Sequence, residues 1–187
     1  ENISKSWSNF KLRNVNLAIE DGDYFIILGP TGAGKTLLLE TIMGFHKPDE
    51  GRIVLNGQDV TGVPPEKRGV GYVSQNCLLF PHMNVRENVE FSLKMKGTPK
   101  TGRNPKVNEL LEFAGLKAMA NRRPATLSGG EKQKVALVRA LAAEPQMIIL
   151  DEPLTAIDLE SAREIKNALK QVRMSGKTVI HVTHNQV

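Results

Sequence analysis

Aromatic side chains, cysteine and long apolar runs are all scarce in this sequence, and each shortage excludes something. Aromatics are 5% of 187 residues, too few and too scattered to stack nucleic-acid bases. Cys77 stands alone, so no internal disulfide forms, and a reducing compartment fits. Nowhere do about 18 apolar residues follow one another, so no segment reads as a membrane span. No signal-peptide pattern is read at the N-terminus, and no internal repeat or low-complexity tract is visible.

What is present is ordinary globular composition, 40% apolar and 24% charged, which excludes wholesale disorder, collagen and coiled coil. Roughly 150 residues per domain makes this one domain, able to bury a core without staples. The net charge is +5, and a basic solvated face is the simplest reading. The excess gathers at Lys94, Lys96, Lys100, Arg103 and Lys106, with no acidic residue among them. Thr98, Pro99, Gly102, Asn104 and Pro105 interleave there, so a loop is expected rather than a DNA-reading helix. No nucleic-acid partner is expected. The chain opens at Glu1 and stops at Val187, just past a strand-like run, so truncation at both ends is expected.

Patterning divides the rest. Val15, Leu17 and Ile19 alternate with polar or small residues, as in a half-buried strand. Tyr24 to Leu28 is a continuous apolar run, expected to be a strand buried on both faces. Lys35 to Met43 reads as a helix with Gly44 past its end, and Arg52 to Leu55 as a strand turning at Asn56-Gly57. Val70 to Val73, Met147 to Leu150 and Val179 to Val182 read as strands. Val85 to Lys96, Val107 to Ala114, Glu131 to Ala143 and Leu159 to Met174 read as helices. Strand and helix alternate at both ends, which argues for a parallel α/β core. The middle, about Gln75 to Thr126, is helical and loop-rich, like an inserted subdomain.

Three motifs carry chemistry. Gly29, Pro30, Thr31, Gly32, Ala33, Gly34, Lys35 and Thr36 match G-x-x-x-x-G-K-[ST] between a strand and a helix. Glycines let backbone N–H groups converge on phosphate oxygens, and the helix N-terminus adds partial positive charge. Lys35 then reaches the β- and γ-phosphates and the Thr36 hydroxyl ligates Mg²⁺. Met147 to Glu152 is an apolar strand ending in two carboxylates, at the end of a parallel strand where ligands bind. Asp151 is placed to hold Mg²⁺ through water and Glu152 to take a proton from attacking water. Leu127, Ser128, Gly129, Gly130 and Glu131 have capping-box spacing before a helix, and the bare glycines make a second anion site. One nucleotide needs one cradle; a second suggests another ligand or a partner's nucleotide.

In order and spacing, Gly29 to Thr36, Gln75, Leu127 to Glu131, Met147 to Glu152, Asp158 and His184 resemble the nucleotide-binding subunit of ATP-binding-cassette transporters. The resemblance covers essentially the whole chain. It implies one domain over 1–187: an α/β P-loop NTPase core with a parallel sheet, an N-terminal antiparallel β subdomain and an inserted helical subdomain over 76–127. It implies a head-to-tail homodimer binding two ATP with Mg²⁺. Each ATP would lie between one subunit's Gly29–Thr36 loop and the other's Ser128–Gly130. Gln75 matches the hinge glutamine sensing Mg²⁺ and γ-phosphate, Asp158 the acidic dimer contact, and His184 the histidine holding γ-phosphate and attacking water. Trp7 sits where an aromatic stacks on adenine, with Phe10 the alternative. Departures are Lys132-Gln-Lys134, Thr155 and Asn185, where Gln-Gln-Arg, Ser and Asp are usual.

Pro64 to Gln75 and Leu79 to Val85 look like importers of oxyanions, sugars and polyamines. Gly44 to Gly51 and Leu93 to Gly97 most resemble molybdate/tungstate or sulfate import ATPases. The implied setting is peripheral, on the cytoplasmic face of the membrane, with permease subunits and, indirectly, a solute-binding protein. A sugar or polyamine importer, or a soluble non-transport cassette, is the alternative. The apolar run Leu78 to Met83 reads either as a permease-facing groove or as packing inside the helical subdomain. His46, His82 and His181 have no zinc set around them, and Cys77 reads as a small buried apolar residue.

Overall fold

The computed structural model describes residues 1–7, 10–155 and 157–184; Asn185 lies outside them. Four parallel strands form its centre: β3 (Tyr24–Leu28), β6 (Val70–Val73), β7 (Met147–Asp151) and β8 (Thr178–Thr183), in the order β3-β8-β7-β6. Alternation along β7 explains the layering. Ile148 and Leu150 join the core shared with α4 (Gly129–Ala142) and α5 (Leu159–Met174). Ile149 points the other way, with Ile180 and Val182, onto Leu39 and Met43 of α1 (Lys35–Met43). Both faces are covered, so the inner strands need continuous apolar runs. β1 (Ile3–Trp7) and β2 (Phe10–Val15) pair antiparallel, and β4 (Val54–Leu55) and β5 (Gln58–Asp59) form a hairpin. Its turn residues Asn56 and Gly57 have φ of 50° and 74°, as a two-residue turn requires. The α/β parallel core and antiparallel N-terminal strands agree with the expected class.

Three expectations fail for identifiable reasons. The strand over Val15–Glu20 stops at Val15. Asn14 is left-handed at φ 45°, and the Asn16 side chain bonds Asn14 O and the Asn2 amide, so its polar group competes with the ladder. β3 is an edge of the described sheet, paired to β8 alone, with Leu28 57% exposed. An apolar run does not distinguish an edge from an inner strand. The basic stretch expected as loop is helical from Lys100: α3 is Lys100–Phe113, with Pro105 inside it. An interior proline costs about 3 kcal/mol. Burial of Val107, Leu110 and Leu111, each about 1.5–3 kcal/mol, exceeds that. Nor are the cations unpartnered in space. Arg103 and Lys94 reach Glu90, and Lys106 reaches Glu109 and Glu144.

The second long helix, α2 (Val85–Met95), opens with a reciprocal capping box between Asn84 and Glu87. Val85, Val89 and Leu93 of α2 share one apolar cluster with α3, α4 and the sheet. The side chains of segment 76–127 thus continue the main core.

Arg68 ties α1 to the loop before β6. It is 8% exposed, and its guanidinium donates to Ile42 O at 2.6 Å, Val63 O at 2.7 Å, Thr61 O at 3.1 Å and Thr41 O at 3.3 Å. Gly44, at φ 91°, ends the helix beside it, and a Cβ there would lie 2.5 Å from Arg68 Nε. Arg68→Met keeps the bulk but removes every donor. It should cost about 3 kcal/mol, roughly 6–12 °C in thermal unfolding. A fall below about 1 °C would show that water satisfies those carbonyls instead.

Candidate active site

Each parallel strand delivers something at its carboxyl end to one cavity of about 370 Å³. β3 delivers the Gly29–Thr36 turn, β6 delivers Gln75, β7 delivers Asp151 and Glu152, and β8 delivers His184; all four groups line it. In an open parallel sheet this crevice is where ligands bind.

The turn is shaped by two left-handed glycines, Gly32 at φ 84° and Gly34 at φ 85°. A Cβ at Gly34 would also overlap the Phe10 ring. Helix α1 starts at Lys35 with no side-chain cap, so its first N–H groups are left for an anion at the cavity. Lys35 Nζ donates to Gly29 O at 2.7 Å and Pro30 O at 2.9 Å, which holds the ammonium over the turn.

Thr36 Oγ1 donates to Asp151 Oδ2 at 3.0 Å, and Tyr72 OH donates to the same oxygen at 3.3 Å. Asp151 is 4% exposed and its Oδ1 is buried without a hydrogen-bond partner. Burial raises its pKa although the two hydroxyls pull the other way. An orphaned buried carboxylate oxygen next to a threonine hydroxyl is the donor set of a hard cation that prefers oxygen ligands.

Glu152 follows at φ 52°, a left-handed conformation uncommon for a residue with a side chain. Its amide still donates to Val182 O at 2.9 Å. Its Oε1 pairs with His184 Nδ1 at 2.8 Å, and its Oε2 accepts from Thr155 Oγ1 at 3.0 Å. Both oxygens are therefore oriented, while His184 stays solvent-accessible at the rim.

Other expected residues stand apart from the cavity. Trp7 is half-buried on β1, edge-on to His46 with centroids 5.5 Å apart, and Phe10 lines the cavity while Trp7 does not. Leu127 is buried; Ser128 Oγ accepts from the Glu131 amide, and Glu131 Oε2 from the Ser128 amide, closing the capping box that starts α4. Gly129 and Gly130 form its first turn. Asp158 caps α5 by accepting from the Ser161 amide, which lowers its pKa. Within one chain, then, Leu127–Glu131 and Asp158 do not line the cavity that Gly29–Thr36 lines.

The motifs gave no role to Tyr72, Thr155 or Arg139. Arg139 of α4 donates to Leu78 O at 2.8 Å and Cys77 O at 2.9 Å, with its guanidinium 5.3 Å from the Phe80 ring centre. Cys77 and Leu78 are consecutive left-handed residues, at φ 58° and 44°. Cys77 is half-buried, not fully buried, and its Sγ donates to Gln133 Oε1 at 2.7 Å. The apolar run splits: Leu79 packs on the core, Phe80 lies against Phe91, and Leu78 is 64% exposed. His181 is buried in β8, bonded to Tyr24 OH at 2.9 Å, and burial pushes its pKa down to about 4. No cluster of three or more metal-ligating His, Cys, Asp or Glu occurs among the described residues.

A glycine turn before an uncapped helix, facing a buried carboxylate and an oriented glutamate, defines an α/β phosphate-binding protein of the P-loop kind. A family model described as ABC transporter matches residues 12–155, and the chain belongs to that family. It is 50% identical over 186 residues to a molybdate/tungstate import ATP-binding protein, WtpC, of Thermococcus kodakarensis, covering 99% of this chain and 56% of that protein. It is 46% identical to a spermidine/putrescine import ATP-binding protein, PotA, of Roseobacter denitrificans, covering 99% of this chain and 52% of that one. It is also 41% identical to a sulfate/thiosulfate import ATP-binding protein, CysA, of Synechocystis, covering 99% and 53%. The chain thus spans little more than half the length of these curated relatives. Among solved structures, the dimeric bacterial ABC transporter cassette MJ0796 superposes with a TM-score of 0.89 at 33% identity, covering 99% of this chain and 87% of that one. A second structure of that cassette, a dimeric post-hydrolysis state bound to ADP and Pi, gives a TM-score of 0.86.

Asp151 yields a prediction with a definite sign. Its folded pKa lies above the unfolded value, so its contribution to stability is lost as pH rises from the ordinary carboxylate range through the raised value. Asp151→Asn should flatten that loss and raise the melting temperature of the nucleotide-free protein at pH 7 by roughly 2–5 °C. A lower melting temperature for Asp151→Asn would contradict the assigned cost of burial.

Proposed function

We propose that this chain is the ATP-hydrolysing cassette of a membrane importer and works as a head-to-tail dimer. The observation that carries the reading is that Thr36 of the glycine turn, Asp151, Glu152 and His184 line one cavity, with Thr36 bonded to Asp151 at 3.0 Å and His184 paired with Glu152 at 2.8 Å. Lys35 and the first amides of α1 bind the β- and γ-phosphates. Thr36, Asp151 and Gln75 would hold Mg²⁺, which would supply charge neutralisation on the phosphate oxygens. Water attacks the γ-phosphorus while a Glu152 carboxylate oxygen accepts its proton; the bond from the γ-phosphorus to the β-phosphate oxygen breaks, and ADP leaves with inorganic phosphate. His184 and Thr155 keep that carboxylate turned, and Phe10 or Trp7 packs beside the base. Ser128–Gly130 closes the partner's nucleotide, and Asp158 contacts the partner. Two glycine-containing helix starts in one chain, only one of which lines the cavity shared with Asp151 and Glu152, favour that arrangement, as does the dimeric form of the MJ0796 cassette.

The transported solute is a molybdate- or tungstate-type oxyanion, since four of the similar curated relatives, at 46–50% identity, are molybdate/tungstate import proteins. Similarity to polyamine and sulfate importers makes those solutes the competitors. Permease subunits dock beside Gln75, where Leu78 is exposed, and this places the cassette on the cytoplasmic face of the membrane. Segment 76–127 serves as the inserted helical subdomain.

Glu152→Gln keeps the shape and removes the base. Hydrolysis should fall about 10²–10⁴-fold with ATP affinity retained and an ATP-bound dimer trapped. Wild-type turnover would remove Glu152 from the role. Lys35→Ala, by contrast, should abolish Mg-ATP binding in a calorimetric titration.

Leu78→Asp, in the whole protein with its permease, should reduce association and uptake while basal hydrolysis stays within about twofold, because exposed side chains away from packing have small effects on the fold. Association unchanged from wild type would misplace the docking surface. Uptake of labelled molybdate or tungstate, competed by neither spermidine nor sulfate, is the result expected for the solute.

A further inference from the structure

Gly130 is the second residue of α4, and its backbone is not left-handed, so conformational freedom does not explain the glycine. The usual alternative is room for a phosphate. The structure offers another reason. A Cβ on Gly130 would overlap both Cβ and Oγ of Ser161, in the first turn of α5. Turning the hydroxyl could clear Oγ, but Ser161 Cβ is one bond from the backbone and cannot move aside. Ser161 is itself fixed: its amide donates to Asp158 Oδ1 at 2.8 Å and its Oγ to Asp158 Oδ2 at 2.7 Å. The starts of α4 and α5 thus touch through a gap the size of a missing side chain, and the group filling it is bonded to Asp158.

We infer that Ser161 is a positioning residue that docks the start of α4 on the cap of α5. Leu127–Glu131 and Asp158 are then held as one unit, and Gly130 is glycine to admit Ser161 rather than a phosphate. The functional consequence rests on the reading that this unit faces the partner's nucleotide. Within one chain the contact fixes the spacing between the two elements assigned to that partner. A wrong side chain at either position would shift both together and leave the Gly29–Thr36 turn untouched.

The test compares Gly130→Ala, Ser161→Gly, Gly130→Ala/Ser161→Ala and Gly130→Ala/Ser161→Gly in the whole protein. Both Ser161 replacements lose the same Oγ bond to Asp158, so the difference between the two double variants isolates the Cβ contact. Gly130→Ala should lower the melting temperature by roughly 4–8 °C, as overpacking does in a domain of this size. Hydrolysis should fall at least about tenfold, the size of effect that displacing a positioned group produces. ATP affinity at the chain's own turn should stay within about twofold, since that turn lies elsewhere. Adding Ser161→Gly should restore both melting and hydrolysis to the level of Ser161→Gly alone, which carries the helix cost of glycine and the lost Oγ bond to Asp158, together roughly 4–8 °C. Adding Ser161→Ala should restore neither.

If the Gly130→Ala/Ser161→Gly variant melts normally but stays inactive, phosphate approach explains the glycine and the inference is overturned. Wild-type melting of Gly130→Ala would overturn it as well. Failure of the underlying reading shows separately. In a Glu152→Gln background, ATP-driven dimerisation that survives Ser128→Arg would sink the partner-site assignment, while the melting series still decides the packing.

Discussion

The bond from Thr36 to Asp151 joins residues 115 apart in sequence, and the site depends on it. Asp151 is nearly buried and keeps one oxygen unpaired, which is costly unless a cation can use it. The cost is bearable because β7 is an inner strand, clamped by β6 and β8 in register from Met147 onward. Ile148, Ile149 and Leu150 are fully buried on alternate faces just before the carboxylate. Packing energy along the strand holds a group at its end that would otherwise move to water.

The next residue uses a different device. Glu152 leaves the strand in a left-handed conformation but keeps one ladder bond to β8. This turns its side chain toward His184, which β8 delivers from the same edge of the sheet. Adjacent carboxylates thereby take separate environments. Asp151 lies among Thr36 and Tyr72 hydroxyls in the interior, and Glu152 lies between Thr155 and His184 at the rim. The separation suits one group to holding a cation and the other to taking a proton.

Much of this was legible in the sequence because the relevant signals are local. The ends of α1 and α5 and the strand Val70–Val73 follow from apolar spacing and a terminal glycine, and they agree with the structure. Glycine spacing before Lys35 likewise states a backbone requirement that the left-handed Gly32 and Gly34 fulfil. What could not be read is long-range. Proline and glycine between Lys96 and Val107 say loop, and only the tertiary partners Glu90 and Glu144, with the shared core, make that stretch helical. Tyr72 looks like any strand aromatic until β6 lies beside β7. Phe10, not Trp7, meets the glycine turn, because which ring reaches Gly34 is decided by where β2 lies in space.

Helix α4 connects the remaining features. Its first turn rests on Ser161 and hence on the Asp158 cap. About one turn later Gln133 accepts from the Cys77 thiol, and further along Arg139 holds the carbonyls of Cys77 and Leu78. Those two residues sit in unfavourable left-handed conformations, which persist only where surrounding contacts enforce them. The loop they shape begins at Gln75, on the cavity, and presents Leu78 to solvent. One helix and two guanidinium bonds therefore connect the start of α4 to the loop that runs from Gln75 on the cavity to the exposed Leu78. Because helices and close-packed cores shift between discrete arrangements rather than deform continuously, the two bonds from Arg139 tie the position of the Cys77–Leu78 loop to that of α4.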